Sequence, residues 1–322
     1  MNMRWRPAQG MRQVLDLVRS GQLSEATALI RGGGATVRPE HSARPRPAGG
    51  TGTPAPESMA RGTFSCGAGQ RAYALYLPKG AGRLRGLVVM LHGCTQDAGD
   101  FARGTQMNQL AGLQGFGVLY PEQNRSANPM ACWNWFAPEH QTADGGEPAI
   151  LSAMIADIGT RHGVPLGAVA VAGLSAGGAM AAILGHTHPQ LFAAVGIHSG
   201  LPVGAAGSVP EAFSAMKSGT AVRSDPFRVP TIVFQGQADT TVAPLNGEAL
   251  AHGVGRGPKE VGQGAGGRRY VREIGPHGEV WRIDDLGHAW SGGSAEGSYA
   301  DPVGPDASAE ILRFFQEARK GL

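Results

Sequence analysis

Ser175 stands in the pentapeptide Gly173-Leu174-Ser175-Ala176-Gly177, between an apolar run (Val169–Ala172) and a stretch of small residues that continues to Gly185. That setting is one in which a serine can act as a nucleophile. A strand that turns sharply into a helix strains the turn residue and crowds it against its neighbours. Flanking glycines, which lack a Cβ, relieve the crowding. Such a turn lifts the hydroxyl clear of the sheet and aims the N–H of the next residue, Ala176, at developing negative charge. Short motifs arise by chance, and a chain with 51 glycines raises that chance. The weight here comes from position: the motif directly follows an apolar strand, directly precedes a helical stretch and occurs once.

A serine hydroxyl is a poor nucleophile until a base removes its proton. The base has to be oriented in turn by an acid, and in strand–turn–helix sites the chain order is Ser, acid, His. After the serine comes "PTIVFQGQADTTVAP", which puts Asp239 just past the end of an apolar strand. Further on, "LGHAWSGG" puts His288 in a glycine-flanked loop. Asp225 precedes its strand, and Asp284 and Asp285 lie too near His288 to come from a separate loop, so they are weaker acids. His198 ends another apolar run and is the alternative base, although a satisfied buried histidine explains it better. A second oxyanion donor is expected from "LHGCTQDAGDF", where His92-Gly93 turns the chain and the N–H of Cys94 or Thr95 can face the serine. Gln96, in the same loop, is expected to line the substrate site.

These residues need a frame. Apolar runs at Gly86–Gly93, Phe116–Gln123, Ala168–Gly173, Phe192–Gly200 and Thr231–Asp239 read as buried strands. Helical stretches separate them, such as Glu147–Gly163, with a proline near its start and a glycine at its end. "FSCGAGQRAYALYLP" reads as an antiparallel pair turning at Gly67–Gly69, and a hairpin is expected near Pro276–Gly278. The terminal Asp306–Lys320 reads as a helix capped by Asp306 or Ser308. Alternating strands and helices predict an α/β fold: a mostly parallel central sheet with helices on both faces and antiparallel N-terminal strands. In such sheets active residues gather at the carboxyl ends of the strands.

Composition excludes some classes. A net charge of +3 without interleaved basic and aromatic residues gives no nucleic-acid footprint. No run of about 18 apolar residues exists, so no integral membrane segment is expected. The three cysteines, Cys66, Cys94 and Cys132, lack metal-ligand spacing, and no zinc or other metal site is expected. Residues 1–32 show two short helical patterns broken at Ser20-Gly21. Helices this short must dock on the main domain, on a second copy of the chain (a homodimer) or on a hydrophobic surface. Residues 33–62 read as a Pro/Gly-rich linker, and 63–322 as the catalytic domain. The start of the chain has no secretory pattern, which predicts a cytoplasmic protein with reduced thiols.

"LHGCTQDAGDF", "YPEQNRSANPMACWNWF", "GLSAGGAMA", "GQADTTVAP" and "GHAWSGG" together resemble the poly(3-hydroxybutyrate) depolymerase family of α/β-hydrolases, over about Thr63 to Leu322. The resemblance implies a cofactor-free serine esterase acting on polymeric or small esters: hydroxyalkanoate polyesters, or feruloyl and acetyl-xylan esters. A related branch cleaves poly(aspartic acid). It implies Ser175 as nucleophile, Asp239 as acid, His288 as base, and Cys94 and Ala176 as oxyanion donors. It also implies a Cys94–Cys132 disulfide, which conflicts with the cytoplasmic expectation; the alternative location is secreted, as for many relatives. Trp133, Trp135 and Trp290 either plug the core or line a groove for an apolar chain; they are the substrate-binding candidates. Arg223, Arg228, Arg256, Lys259, Arg268, Arg269 and Arg272, if they share a face, would instead suit a polyanion.

Overall fold

The computed structural model describes residues 59–80 and 82–320. The N-terminal helical patterns and nearly all of the linker lie outside the described residues. The linker boundary is corrected, because residues 60–62 already belong to the first strand.

β1 (Ala60–Cys66) and β2 (Gly69–Tyr76) form the expected antiparallel pair. β3 (Gly86–Leu91) follows, then α1 (Ala98–Thr105), α2 (Met107–Leu113) and β4 (Phe116–Glu122). Next come α3 (Gly146–Arg161), β5 (Val169–Leu174), α4 (Ala176–Thr187) and β6 (Ala194–His198). The chain continues through α5 (Val209–Ser218), β7 (Thr231–Gly236), α6 (Pro244–Val254), β8 (Lys259–Gln263), β9 (Arg269–Gly275) and β10 (Gly278–Ile283). Two short strands, β11 (Trp290–Ser291) and β12 (Ala300–Asp301), and helix α7 (Ala307–Lys320) complete it.

Ten strands make one sheet in the order β1-β2-β4-β3-β5-β6-β7-β10-β9-β8. β4, β3, β5, β6, β7 and β10 run parallel, and antiparallel strands flank them at both edges. β3, β5, β6 and β7 are buried almost throughout, as their apolar runs require when helices cover both faces. Side-chain alternation divides the core in two. Leu87, Val89, Leu91, Val171, Ile197 and Val233 point to the layer built by α3, α4 and α6. Val88, Met90, Ala172, Ile232 and Phe234 point to the layer built by α1, α2 and α7. This is the α/β-hydrolase arrangement.

The hairpin turns as expected, with Gly275 opposite Gly278. The stretch expected to be helical after β3 is two helices, because Gln106 takes a left-handed φ of 53° between them. Of the two cap candidates for α7, Asp306 is the one in place: its carboxylate accepts from the Ala309 N–H at 2.9 Å. Ser308 is buried and bonds elsewhere, donating to the Thr105 carbonyl. No helix among the described residues is long and apolar enough to cross a membrane.

Candidate active site

The parallel register lines up the carboxyl ends of β5, β6 and β7. Leu174 pairs with His198, and His198 with Phe234. Ser175 comes one residue beyond β5, with its N–H donating to the His198 carbonyl at 2.9 Å. Its backbone sits at φ 58°, ψ −120°, far from strand or helix values. The flanking glycines are sterically required. A Cβ at Gly177 would lie 2.0 Å from the Leu91 carbonyl oxygen, and one at Gly173 would lie 2.3 Å from that of Gly177. The tight turn therefore lets α4 start directly against β3, with Ala176 at its first position.

Asp239 follows β7, two strand spacings or about 10 Å from β5. An imidazole must bridge that gap, and the His288 loop supplies one. Nδ1 of His288 lies 2.8 Å from Oδ2 of Asp239. The other carboxylate oxygen accepts from the N–H groups of Thr241 (2.9 Å) and Val242 (2.8 Å). Burial pushes the Asp239 carboxyl up, but the hydrogen bond from His288, the charge of that ring and the two amides outweigh it, and the carboxyl lies below the usual range. A carboxylate at Nδ1 fixes the tautomer with the proton there, which leaves Nε2 as the basic nitrogen. The His288 loop is held to β7 by the Ala238 N–H donating to the Leu286 carbonyl.

His198 has a different role. It is 1% exposed, stacks between Phe234 and Trp290, and accepts from the Ser291 N–H at Nε2, so Nδ1 faces the Ser199 hydroxyl as a donor. Burial, reinforced by the nearby His288, drops its pKa to about 3. The ring is a neutral strut under the site and not a base.

The loop after β3 approaches the serine closely: a Cβ at Gly93 would lie 3.7 Å from that of Ser175. The Gly93 N–H donates to Oε1 of Gln96, and the Thr95 N–H donates to the Met130 carbonyl. Of the two donors open from sequence, Thr95 is therefore committed, which leaves the Cys94 N–H to offer. The loop is fixed from beneath by His92, a residue sequence reasoning credited only with turning the chain. Its Nε2 accepts from the Gln123 N–H, and Nδ1 faces the Gly93 carbonyl at 2.7 Å. A Cys94–Cys132 disulfide ties the loop to the segment after β4. Cys66 is free. Glu147, fully buried, holds that second segment through Asn134 and Gln123 and pairs with Arg71. Neither network has a local sequence motif, because its partners lie far apart in the chain.

Four substrate-binding expectations are corrected. Trp133 (0% exposed), Trp135 and Trp290 are core residues. Trp133 Nε1 donates to the His92 carbonyl and Trp290 Nε1 to the Ser308 hydroxyl, so these two indole N–H groups are satisfied inside. Gln96 is buried and spends both ends of its amide on the protein: Oε1 on Gly93, and Nε2 on Asp100 and Ser298. It positions the loop and does not face substrate. Two cavities, of about 320 and 420 Å³, lie elsewhere, and neither is lined by Ser175, Asp239 or His288.

The family model described as esterase PHB depolymerase matches residues 71–257, more than half of the chain. That span includes Ser175 and Asp239 and ends before His288. Over 237 residues the chain is 31% identical to poly(3-hydroxyalkanoate) depolymerase C of Paucimonas lemoignei, covering 66% of this chain and 57% of that protein. It is 28% identical to acetylxylan esterase A of Talaromyces purpureogenus, covering 53% and 50%. The chain thus spans about half the length of these curated relatives. Among solved structures, the acetyl xylan esterase from Aspergillus awamori superposes with a TM-score of 0.62 at 23% identity, over 71% of this chain and 94% of that one, which supports the fold. With more than half its length matched, the chain belongs to the esterase PHB depolymerase family.

Proposed function

We propose that the protein is a serine ester hydrolase in which Ser175, His288 and Asp239 form the catalytic triad. The observation that carries this reading is the Asp239–His288 hydrogen bond at the strand ends where the strained Ser175 turn lies. His288 Nε2 takes the Ser175 proton as Oγ attacks the ester carbonyl. Asp239 keeps the ring oriented and stabilises it once charged. The N–H groups of Cys94 and Ala176 receive the oxyanion, each typically worth about 3 kcal/mol of barrier. The tetrahedral intermediate collapses, His288 passes its proton to the leaving alkoxide, and an acyl-Ser175 ester remains. Water, deprotonated by His288, then releases the acid and restores the serine.

The substrate class we favour is a neutral ester: a hydroxyalkanoate polyester, as for the Paucimonas relative, or an acetylated polysaccharide, as for the Talaromyces one. Most of the basic residues that could hold a polyanion have an acidic neighbour within 4.0 Å, with the exposed Arg256 and Lys259 sharing theirs with Arg282. Arg256 and Lys259 face Glu273, Arg268 faces Asp301, and Arg272 faces Glu260 and Glu279. Arg223 and Arg228 line the 320 Å³ cavity instead. Turnover of p-nitrophenyl butyrate, polyhydroxybutyrate, acetylated xylan and poly(aspartic acid) at two salt concentrations tests this. We expect ester turnover that changes little with salt. Poly(aspartic acid) cleavage that falls steeply with ionic strength, with esters untouched, would overturn it.

A further inference from the structure

One neighbour of His288 has no part in the chemistry above. The geometry points to Tyr299 as a binding platform for the alcohol half of the ester, a subsite for leaving alcohols that present an aliphatic C–H face. The inference rests on the triad reading and adds a subsite to it.

The first observation is conformational. Tyr299 sits at φ 52°, in the left-handed region that a bulky side chain rarely enters. The fold imposes this from both sides. Ser298 donates its N–H to Asp100 Oδ1 at 3.0 Å and its hydroxyl to Oδ2, while its carbonyl accepts from Gln96 Nε2 at 3.0 Å. The Tyr299 carbonyl accepts from the Trp290 N–H at 2.7 Å, and Ala300 pairs with Trp290 where β11 meets β12. Strain upheld by its surroundings points to function when it lies at a site.

The second observation is placement. The Tyr299 ring meets the His288 ring edge-on, with centroids 6.3 Å apart and planes at 75°. It is 47% exposed, whereas the three tryptophans near the site are buried. An aromatic ring thus stands open to solvent beside the proposed base.

The third step is chemical. His288 hands its proton to the leaving alkoxide, so the alcohol half of the substrate must lie against the imidazole. A side chain bordering that ring at the surface meets the alcohol. Aromatic faces gain by covering C–H surface, and the C–H face of a hydroxyacyl unit or of a pyranose would serve. Gln96 joins this strap to the oxyanion loop, since its other end holds the Gly93 N–H.

The test uses butyryl esters that share an acyl group and differ in alcohol: methyl butyrate, O-butyryl methyl 3-hydroxybutyrate and a butyrylated methyl xyloside. In Tyr299→Ala, and in Tyr299→Gly, which accepts the positive φ without strain, the kcat/KM of a large-alcohol ester relative to methyl butyrate should fall about tenfold, mainly through KM, with the ratio held within about twofold in Tyr299→Phe. Whether the hydroxyacyl or the sugar ester carries the loss identifies the source of the C–H face. Ratios unchanged in both Tyr299→Ala and Tyr299→Gly, or a loss equally large in Tyr299→Phe, would overturn the platform. Ser175→Ala is the separate control. Methyl butyrate turnover persisting there overturns the triad reading, whatever the Tyr299 ratios show.

Discussion

At the scale of single residues, two histidines beyond or at the strand ends have different electrostatic settings. Nδ1 of His288 hydrogen-bonds a buried carboxylate, while His198 is enclosed by Phe234 and Trp290 and its ring nitrogens face Ser291 and Ser199. Asp239→Asn should leave the fold intact and lower kcat by roughly 10⁴, because an amide no longer enforces the productive tautomer. Steady-state kinetics beside a thermal melt check this. His198 predicts a pH effect on stability. Its folded pKa of about 3 lies below the unfolded value, so the unfolded chain takes up a proton first as pH falls. The stabilisation is complete above about 6.5 and is lost as pH falls toward 3, on the order of 5 kcal/mol in all. His198→Gln, which keeps an acceptor for the Ser291 N–H, should flatten the stability–pH curve in that window. An unchanged slope would contradict a neutral buried ring.

Among the elements, the strongest dependence is of α4 on the glycines that admit it. Gly177→Ala would push a methyl against the Leu91 carbonyl, and backbone cannot yield as a side-chain tip can. We expect a loss of more than about 3 kcal/mol or failure to fold, read by denaturant titration. The Cys94–Cys132 bridge closes a loop of 38 residues that includes the proposed oxyanion donor Cys94. Cys132→Ser should cost on the order of 3–4 kcal/mol of stability, and should also lower kcat as the loop loosens. Some elements were legible in the sequence and others were not, for physical reasons. The central strands announce themselves as unbroken apolar runs because both faces are covered. β8 does not, since it is an exposed, charged edge strand. α5 buries only Ala212 and Ala215, and α6 carries internal glycines, one of which is packed on Gln235, so neither shows an apolar stripe. Trp133, Trp135 and Trp290 could be read from sequence as needing cover, but whether that cover is protein or substrate is a tertiary fact.

On the scale of the whole molecule, Ser175, Asp239 and His288 are separated by 64 and 49 residues, and the parallel register of β5, β6, β7 and β10 brings their loops to one end of the sheet. Their order along the chain was legible because it follows the winding of the sheet. The scaffolding by His92, Glu147, Gln96 and Asp100 was not, because each joins segments that the sequence keeps apart. The central claim is that folding alone turns Ser175 into a nucleophile, and covalent labelling tests it most directly. The native protein is treated with a fluorophosphonate, digested and mapped by mass spectrometry, beside a urea-unfolded sample and Ser175→Ala. The account predicts one adduct, on Ser175, in the native protein only, with ester turnover lost in step. An adduct on another residue, or turnover that survives complete labelling of Ser175, would contradict it.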